Sequence, residues 1–201
     1  MTPRVTLIDH GAGNLRSLRA AFERLGADVE VTADADRVAG AERVVLPGVG
    51  AAAPAMHTLT RTGMADALRA ASSLLGVCLG MQLLFERSAE GDVACLGLLP
   101  GTVERIGWAE RLPHMGWNDV VAAGASPLSP ALPAVCYFAH AYVAEPAEAS
   151  DVIATTELDG TAFASAVGRG RVAAVQFHPE RSGAAGRELL AAFLRRSGDA
   201  A

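Results

Sequence analysis

Two short stretches of this chain carry residues whose types and spacing fit covalent acyl transfer: Gly76-Val77-Cys78-Leu79-Gly80 and, far downstream, Gln176-Phe177-His178-Pro179-Glu180. In that chemistry a thiolate attacks a carbonyl, an imidazole moves the proton and a carboxylate orients the imidazole. Cys78 follows the apolar Leu74-Leu75 and leads into Leu83-Leu84-Phe85-Glu86, which predicts a sharp strand-to-helix turn around it. Glycine at 76 and 80 removes the side chains that would collide in such a turn. A thiol over the first turn of a helix faces unpaired N–H groups and the positive end of the dipole, both of which favour the thiolate. Pro179 pushes His178 into an extended conformation, where residues two apart project to the same side. Glu180 then reaches one ring nitrogen and leaves the other for a thiol.

Each stretch has a plainer reading. G-x-C-x-G also fits a buried structural cysteine after a glycine turn, and His-Pro-Glu also fits a surface turn. Their joint presence, each after an apolar run that reads as a strand (74 to 77 and 172 to 177), favours catalysis, because chance rarely puts both at strand ends.

The elements that must hold these residues can be read from the hydrophobic pattern. Strands are expected at 4 to 8, 28 to 31, 43 to 46 and 74 to 77, alternating with helix signals, the pattern of a parallel sheet covered on both faces. One helix is expected from Asn14, read as its N-cap, through Leu15, Leu18, Phe22 and Leu25 to a stop at Gly26. The second half shows short apolar or β-branched runs at 102 to 106, 118 to 121, 134 to 138, 152 to 155, 161 to 167 and 171 to 177. Gly, Pro and Asp turns separate them, which predicts antiparallel strands added to the sheet. A closing helix is expected around 184 to 196, and the Ala- and Pro-rich patches at 122 to 134 and 144 to 149 read as loops. The fold class is therefore α/β: a single domain over 1 to 201, with a central, mostly parallel sheet flanked by helices and antiparallel strands in the C-terminal half.

Composition sets bounds. The chain has 201 residues, 51% of them hydrophobic, enough for one core. A net charge of −5 without a Lys/Arg cluster argues against a nucleic-acid surface. No apolar run approaches the roughly 20 residues of a membrane span, and the N-terminus enters a strand without a signal-peptide pattern, so a cytoplasmic location is expected. Cysteines at 78, 95 and 136 show neither metal-ligand spacing nor an even disulfide set.

Taken together, GVCLGMQ and QFHPE resemble the class I (triad-type) glutamine amidotransferases. The stretches Asp9-His10-Gly11-Ala12-Gly13-Asn14-Leu15-Arg16-Ser17, Leu46-Pro47-Gly48-Val49-Gly50, Pro113-His114-Met115-Gly116-Trp117-Asn118 and Tyr137-Phe138-Ala139-His140-Ala141-Tyr142 are similar to the glutaminase subunits of imidazole glycerol phosphate synthases. The resemblance runs in order from about residue 5 to residue 195. It implies a glutaminase that hydrolyses glutamine through a Cys78 thioester with His178 and Glu180. Ammonia then passes to a (β/α)8-barrel cyclase subunit, in a heterodimer that makes imidazole glycerol phosphate in histidine biosynthesis. No metal or organic cofactor is implied.

A tetrahedral intermediate needs N–H donors aimed at its O⁻. The Leu79 amide is one, and Val49 or Gly50, in the segment that forms the family's oxyanion strand, is the second; an ordinary Pro-Gly turn is the plainer reading of that segment. Gln82, one helical turn after Cys78, lies on the same helix face, and the resemblance assigns it to the amino-acid end of the substrate. The loop from His10 to Asn14, with Tyr137 and Arg181, is expected at the partner interface. His10, Ala141 and Arg181 depart from the Tyr, Ser or Thr, and Lys common in the family. Gly11-Ala12-Gly13 is not a dinucleotide loop, because the third glycine position is occupied by Arg16. His114 and His140 have two readings, site residues or satisfied buried histidines, and the second is the default. Two rivals remain, another enzyme on the same scaffold and a non-catalytic assembly subunit.

Overall fold

A computed structural model describes residues 2–124, 126, 128 and 134–196. The first half alternates β1 (Arg4–Ile8), α1 (Leu15–Arg24), β2 (Asp28–Thr32), α2 (Ala35–Ala39), β3 (Val44–Leu46), α3 (Ala52–Arg61), α4 (Met64–Ala70), β4 (Leu74–Val77) and α5 (Leu79–Gln82). There follow β5 (Arg87–Ser88), β6 (Val93–Ala94), β7 (Gly101–Arg105), β8 (His114–Ala122), β9 (Ala134–His140), β10 (Tyr142–Pro146), β11 (Val152–Leu158), β12 (Thr161–Arg169), β13 (Val172–Val175) and α6 (Gly183–Leu194). Five neighbouring strands, in the order β2-β1-β3-β4-β13, are parallel.

Alternation along these strands sends two apolar sets to two faces. Val5, Leu7, Val45, Leu75, Val77 and Val175 pack on one side with Leu18 and Phe22 of α1 and Leu189 and Phe193 of α6. Ile8, Val44, Leu46, Leu74 and Val172 pack on the other with Val38, Leu59 and Leu68 of α2, α3 and α4. Phe22 and Phe193 meet edge-on, ring centroids 6.4 Å apart. Each such fully buried ring contributes about 1.5–3 kcal/mol through area removed from water.

Antiparallel strands extend the sheet through β12, β10 and β7, while β11 leads from β12 to the β8–β9 hairpin. The last apolar run departs from the expected pattern: β13 is antiparallel to β12 but parallel to β4, so the chain returns to the centre of the sheet. Residues 144–146 belong to β10, paired with β7, rather than to a loop. Ala122 and Ala134 end β8 and begin β9, and of the loop expected between them residues 125, 127 and 129–133 lie outside the described residues. The helix after Cys78 is a single turn, Leu79–Gln82, because the chain folds away at Leu83. Asn14 occupies the N-cap position of α1 but makes no side-chain cap; its amide is engaged elsewhere. Among the described residues no helix is long and apolar enough to cross a membrane.

Candidate active site

Parallel strands bring their carboxyl ends to one edge, the usual crevice of an open α/β sheet. Here β1 delivers residues 9–14 to that edge, β3 delivers Pro47–Gly50, β4 delivers Cys78 and β13 delivers Gln176 and His178. The Cys78 amide donates to the Val175 carbonyl at 2.8 Å, continuing the β4–β13 pairing up to the turn. Cys78 has φ 54 and ψ −112, a sparsely populated conformation that costs an L-residue about 1–3 kcal/mol. The turn is built for it. A Cβ on Gly80 would lie 1.9 Å from the Leu46 carbonyl oxygen, and one on Gly76 would lie 2.8 Å from the Gly80 oxygen. Only a glycine elbow fits between β3 and the turn. Gly48 closes the other side, since a Cβ there would come within 2.7 Å of Leu79 Cβ, so the Pro47–Gly50 segment sits directly on the elbow.

His178 is extended, with φ −99 and ψ 97, as the following proline predicts. Glu180 reaches it through a 3-10 turn over Pro179–Arg181 rather than along an extended strand. His178 Nδ1 lies 3.0 Å from Glu180 Oε1, and the Glu180 side chain is fully buried. Burial pulls the His178 pKa down, but hydrogen bonds and charge from Cys78 and Glu180 outweigh it and push it up to about 10. Beside the Cys78 sulfur and the Glu180 carboxyl group, the ring is therefore biased toward its protonated form. Asn14 Nδ2 donates to the same Glu180 oxygen at 3.1 Å. The side chain expected to cap α1 buttresses the carboxylate instead.

Cys78, His178 and Asn14 line a cavity of about 450 Å³ together with Val49, Gly50, Leu79, Gln82 and Arg181, and Glu180 reaches it only through His178. Gln82 donates from Nε2 to the Tyr142 carbonyl and to Gln176 Oε1, both at 3.0 Å, so what it offers a ligand is its carbonyl oxygen. Gln176 in turn donates to Cys78 Sγ at 3.7 Å. Of the remaining residues expected to act here, Tyr137 is half-buried and lies under the exposed Arg181 at the cavity rim, the guanidinium 3.8 Å from the ring centroid. His10 is buried and turns inward, with Nε2 2.8 Å from the Pro47 carbonyl oxygen, which it donates to, tying the loop after β1 to the segment over the elbow.

Sequence reasoning assigned no role to Glu90, which lines this cavity, or to Gln176, buried behind it. Gln176 shares a strand face with His178, a period-two signal that was available. His140, weighed as a site residue against a buried-histidine default, is both buried and on the cavity wall, and tertiary pairing alone brings it and Glu90 there. Cys95 and Cys136 are buried, and burial pushes each thiol up to about 11, against the small lowering from hydrogen bonds to Ser88 and Ser182.

His140 is held neutral. Burial pushes its pKa down to about 3, the Tyr142 carbonyl opposes this, and His114 and His178 add to the lowering. Its folded value lies below the ordinary 6.5, so between the two the unfolded chain binds a proton that the folded chain refuses. Stability present above pH 6.5 is lost as pH falls toward 3. Urea midpoints should therefore drop more steeply for the wild type than for His140→Asn between about pH 7 and about pH 5. Parallel slopes would contradict the assignment.

The model of the family "Glutamine amidotransferase class-I" matches residues 6–197. The imidazole glycerol phosphate synthase subunit HisH of Xanthomonas euvesicatoria pv. vesicatoria is 50% identical over 198 residues, covering 96% of this chain and 98% of the relative. HisH of Xylella fastidiosa (strain Temecula1) is 48% identical over 195 residues, covering 94% and 96%. Among solved structures, PurLQS from Thermotoga maritima has a TM-score of 0.76 at 20% identity, covering 96% of this chain and 98% of that one. A structure described as a glutamine amidotransferase has a TM-score of 0.74 at 23% identity, covering 94% and 96%. At those identities the structural likeness speaks for the fold.

Proposed function

Because this chain belongs to the class-I glutamine amidotransferases, in the branch of the HisH subunits of imidazole glycerol phosphate synthase, we propose that it is the glutaminase of such a synthase. It hydrolyses glutamine for histidine biosynthesis, acts as one catalytic domain, and delivers ammonia to a cyclase subunit. The observation that carries this reading is the His178 ring, raised to about 10 between Cys78 and Glu180 on the wall of a cavity that also holds Gln82.

Cys78 Sγ attacks the side-chain amide carbon of glutamine. The developing oxyanion is met by the Leu79 amide, first of its helical turn and without an intrahelical acceptor, and by the amide of Val49 or Gly50. His178 gives its proton to the departing nitrogen, ammonia leaves, and a γ-glutamyl thioester remains. Thioester formation removes the thiolate charge that helped to raise His178. The ring can then act as base for the attacking water, and glutamate is released. Gln82, through its carbonyl oxygen, and Glu90, through its carboxylate, supply acceptors for the substrate ammonium.

An outer face supports the partner. Met115, Trp117 and Val121 on β8 and Val135 on β9 are 64%, 59%, 54% and 50% exposed. Trp117 lies opposite Tyr137 in the register, edge-on at 6.1 Å, and Tyr137 carries Arg181. A largely apolar face of this kind beside a site, broken by the exposed Asp119 opposite Val135, suits a docking surface, and its aromatic and arginine anchors are the residue types that dominate binding energy. The test is a titration of glutaminase rate with the cyclase subunit and its nucleotide ligand. The isolated chain should turn over slowly and accelerate on binding, and Trp117→Ala should weaken the midpoint on the order of tenfold to a hundredfold. Full activity of the lone chain would rule out coupling, and an unmoved midpoint would remove this face from the interface.

A further inference from the structure

Behind the cavity runs a line of side-chain hydrogen bonds that the mechanism above does not use. Asn118 Nδ2 lies 3.2 Å from His114 Nε2, His114 Nδ1 lies 3.0 Å from His140 Nε2, and His140 Nδ1 lies 2.8 Å from the Tyr142 carbonyl oxygen. Both ends of the line are fixed by backbone groups. The Tyr142 carbonyl can only accept, so His140 carries its proton on Nδ1 and presents Nε2 as an acceptor. His114 must then donate from Nδ1 and accept at Nε2. Asn118 is oriented independently: its Nδ2 donates to the Glu157 carbonyl at 2.9 Å, while its Oδ1 accepts from the Asp119 amide at 2.8 Å. Its amide hydrogens therefore face His114, and the polarity read from one end agrees with that read from the other. Every donor points toward Tyr142.

The Tyr142 carbonyl is where this line meets the cavity, because Gln82 Nε2 donates to the same oxygen and goes on to Gln176 and Cys78. Between β9 and β10 the chain passes from the outer hairpin to the main sheet at residues 140–142, which also line the cavity. Backbone pairing reaches both sides of that crossing, His140 opposite His114 and Tyr142 opposite Arg105, with the Ala141 carbonyl accepting from the Ile106 amide at 3.0 Å, and the two rings add the side-chain bonds that end on the Tyr142 carbonyl. Packing holds the rings in plane: His114 stacks on Phe138 with centroids 4.8 Å apart, and both rings meet Phe163. Burial, only partly offset for His114 by Asp159 and for His140 by the Tyr142 carbonyl, keeps both uncharged.

We propose that Asn118, His114 and His140 form a positioning relay for the glutaminase reaction, setting the Tyr142 carbonyl and, through it, the orientation of Gln82 toward the substrate. This rests on the glutaminase reading of the cavity. Asn118 sits on the same strand as Trp117, so the relay also joins the exposed face of β8 to the substrate pocket.

Nitrogen-resolved NMR of the histidine rings in the intact chain tests the relay without any chemistry. Both His114 and His140 should be Nδ1–H tautomers; an Nε2–H or averaged tautomer at His140 overturns it. In the complex, His114→Phe keeps the stacked ring but removes both nitrogens, leaving His140 Nε2 without a donor. The expected result is a KM for glutamine raised about tenfold or more, with kcat within about threefold and labelling of Cys78 by a glutamine-mimicking electrophile slowed in parallel. Alkylation of Cys78 by iodoacetamide, which ignores the substrate pocket, should stay within about twofold. An unchanged KM, or iodoacetamide alkylation falling as far as the mimic's, overturns the proposal. If that variant does not fold, Asn118→Ala removes the outer donor and should raise KM by about threefold, and an unchanged value overturns the proposal equally. A wild type that shows the tautomers yet hydrolyses no glutamine with its partner present sinks the glutaminase reading and the relay's role together. One that hydrolyses glutamine without the tautomers sinks the relay alone.

Discussion

Cys78→Ala is expected to lower glutamine hydrolysis on the order of 10³-fold to 10⁶-fold, while the partner's synthase reaction keeps its rate when ammonium is added. The variant separates the two halves of the proposed reaction, because covalent chemistry is proposed on this chain and ammonia consumption on the other. It should fold normally. Alanine at φ 54 carries the same Cβ penalty as cysteine, and the backbone bonds that hold the elbow, Cys78 N to Val175 O at 2.8 Å and Met81 N to Cys78 O at 2.9 Å, need no side chain. Rates would be followed as glutamate release and as synthase product with glutamine or with ammonium. Equal loss of both reactions would mean that Cys78 supports the assembly rather than the chemistry.

The inner parallel strands were legible because each is buried on both faces and reads as an apolar run between turn residues, Val5 to Ile8, Val44 to Leu46 and Leu74 to Val77, while the half-exposed edge strand β2 alternates polar and apolar residues. The direction of β13 was not legible. Its run resembles its antiparallel neighbours, and only the return of the chain to β4 decides the pairing. Helices α3 and α4 escaped notice because Ala52, Ala55, Ala65 and Ala67 supply much of their buried face, and alanine gives little hydrophobic contrast. Strands β5 and β6, two residues each, are too short to show a period.

The proposed site divides the same way. Cys78 and His178 carry local signatures, a glycine elbow and a histidine before proline, that follow from backbone sterics alone. Glu180 was found for a partly different reason from the one that holds: it reaches His178 through a tight turn, and Asn14 steadies it from 166 residues away. The cap propensity of Asn14 pointed to α1, but no side-chain cap forms, and its amide nitrogen donates to the buried Glu180 carboxylate instead. Glu90 enters the cavity from a segment whose local pattern says nothing of a site, and His140 stood out only through the resemblance of its stretch. Partners that depend on tertiary pairing, such as His114 opposite His140 in the β8–β9 register, are invisible until strands are aligned.

Glu180→Gln is expected to leave the fold intact and to lower the glutaminase rate by about 10²-fold to 10⁴-fold. Glu180 Oε1 receives two donors, His178 Nδ1 at 3.0 Å and Asn14 Nδ2 at 3.1 Å, and a glutamine oxygen can accept both. Ring orientation is therefore largely kept. What disappears is the negative charge, which is among the causes that hold His178 above its ordinary value against the opposing pull of burial. Oε2 is buried and accepts no hydrogen bond among the described residues, so the amide group that replaces it meets no acceptor and adds its own desolvation cost. Loss of charge matters at both proton transfers: a weaker imidazolium partner destabilises the ion pair before attack, and a less basic ring activates water poorly in deacylation. The measurement is kcat with saturating partner and glutamine, beside the unfolding midpoint of the variant. A normal midpoint with an unchanged kcat would reduce Glu180 to a turn residue, and Asn14→Ala would then be silent as well.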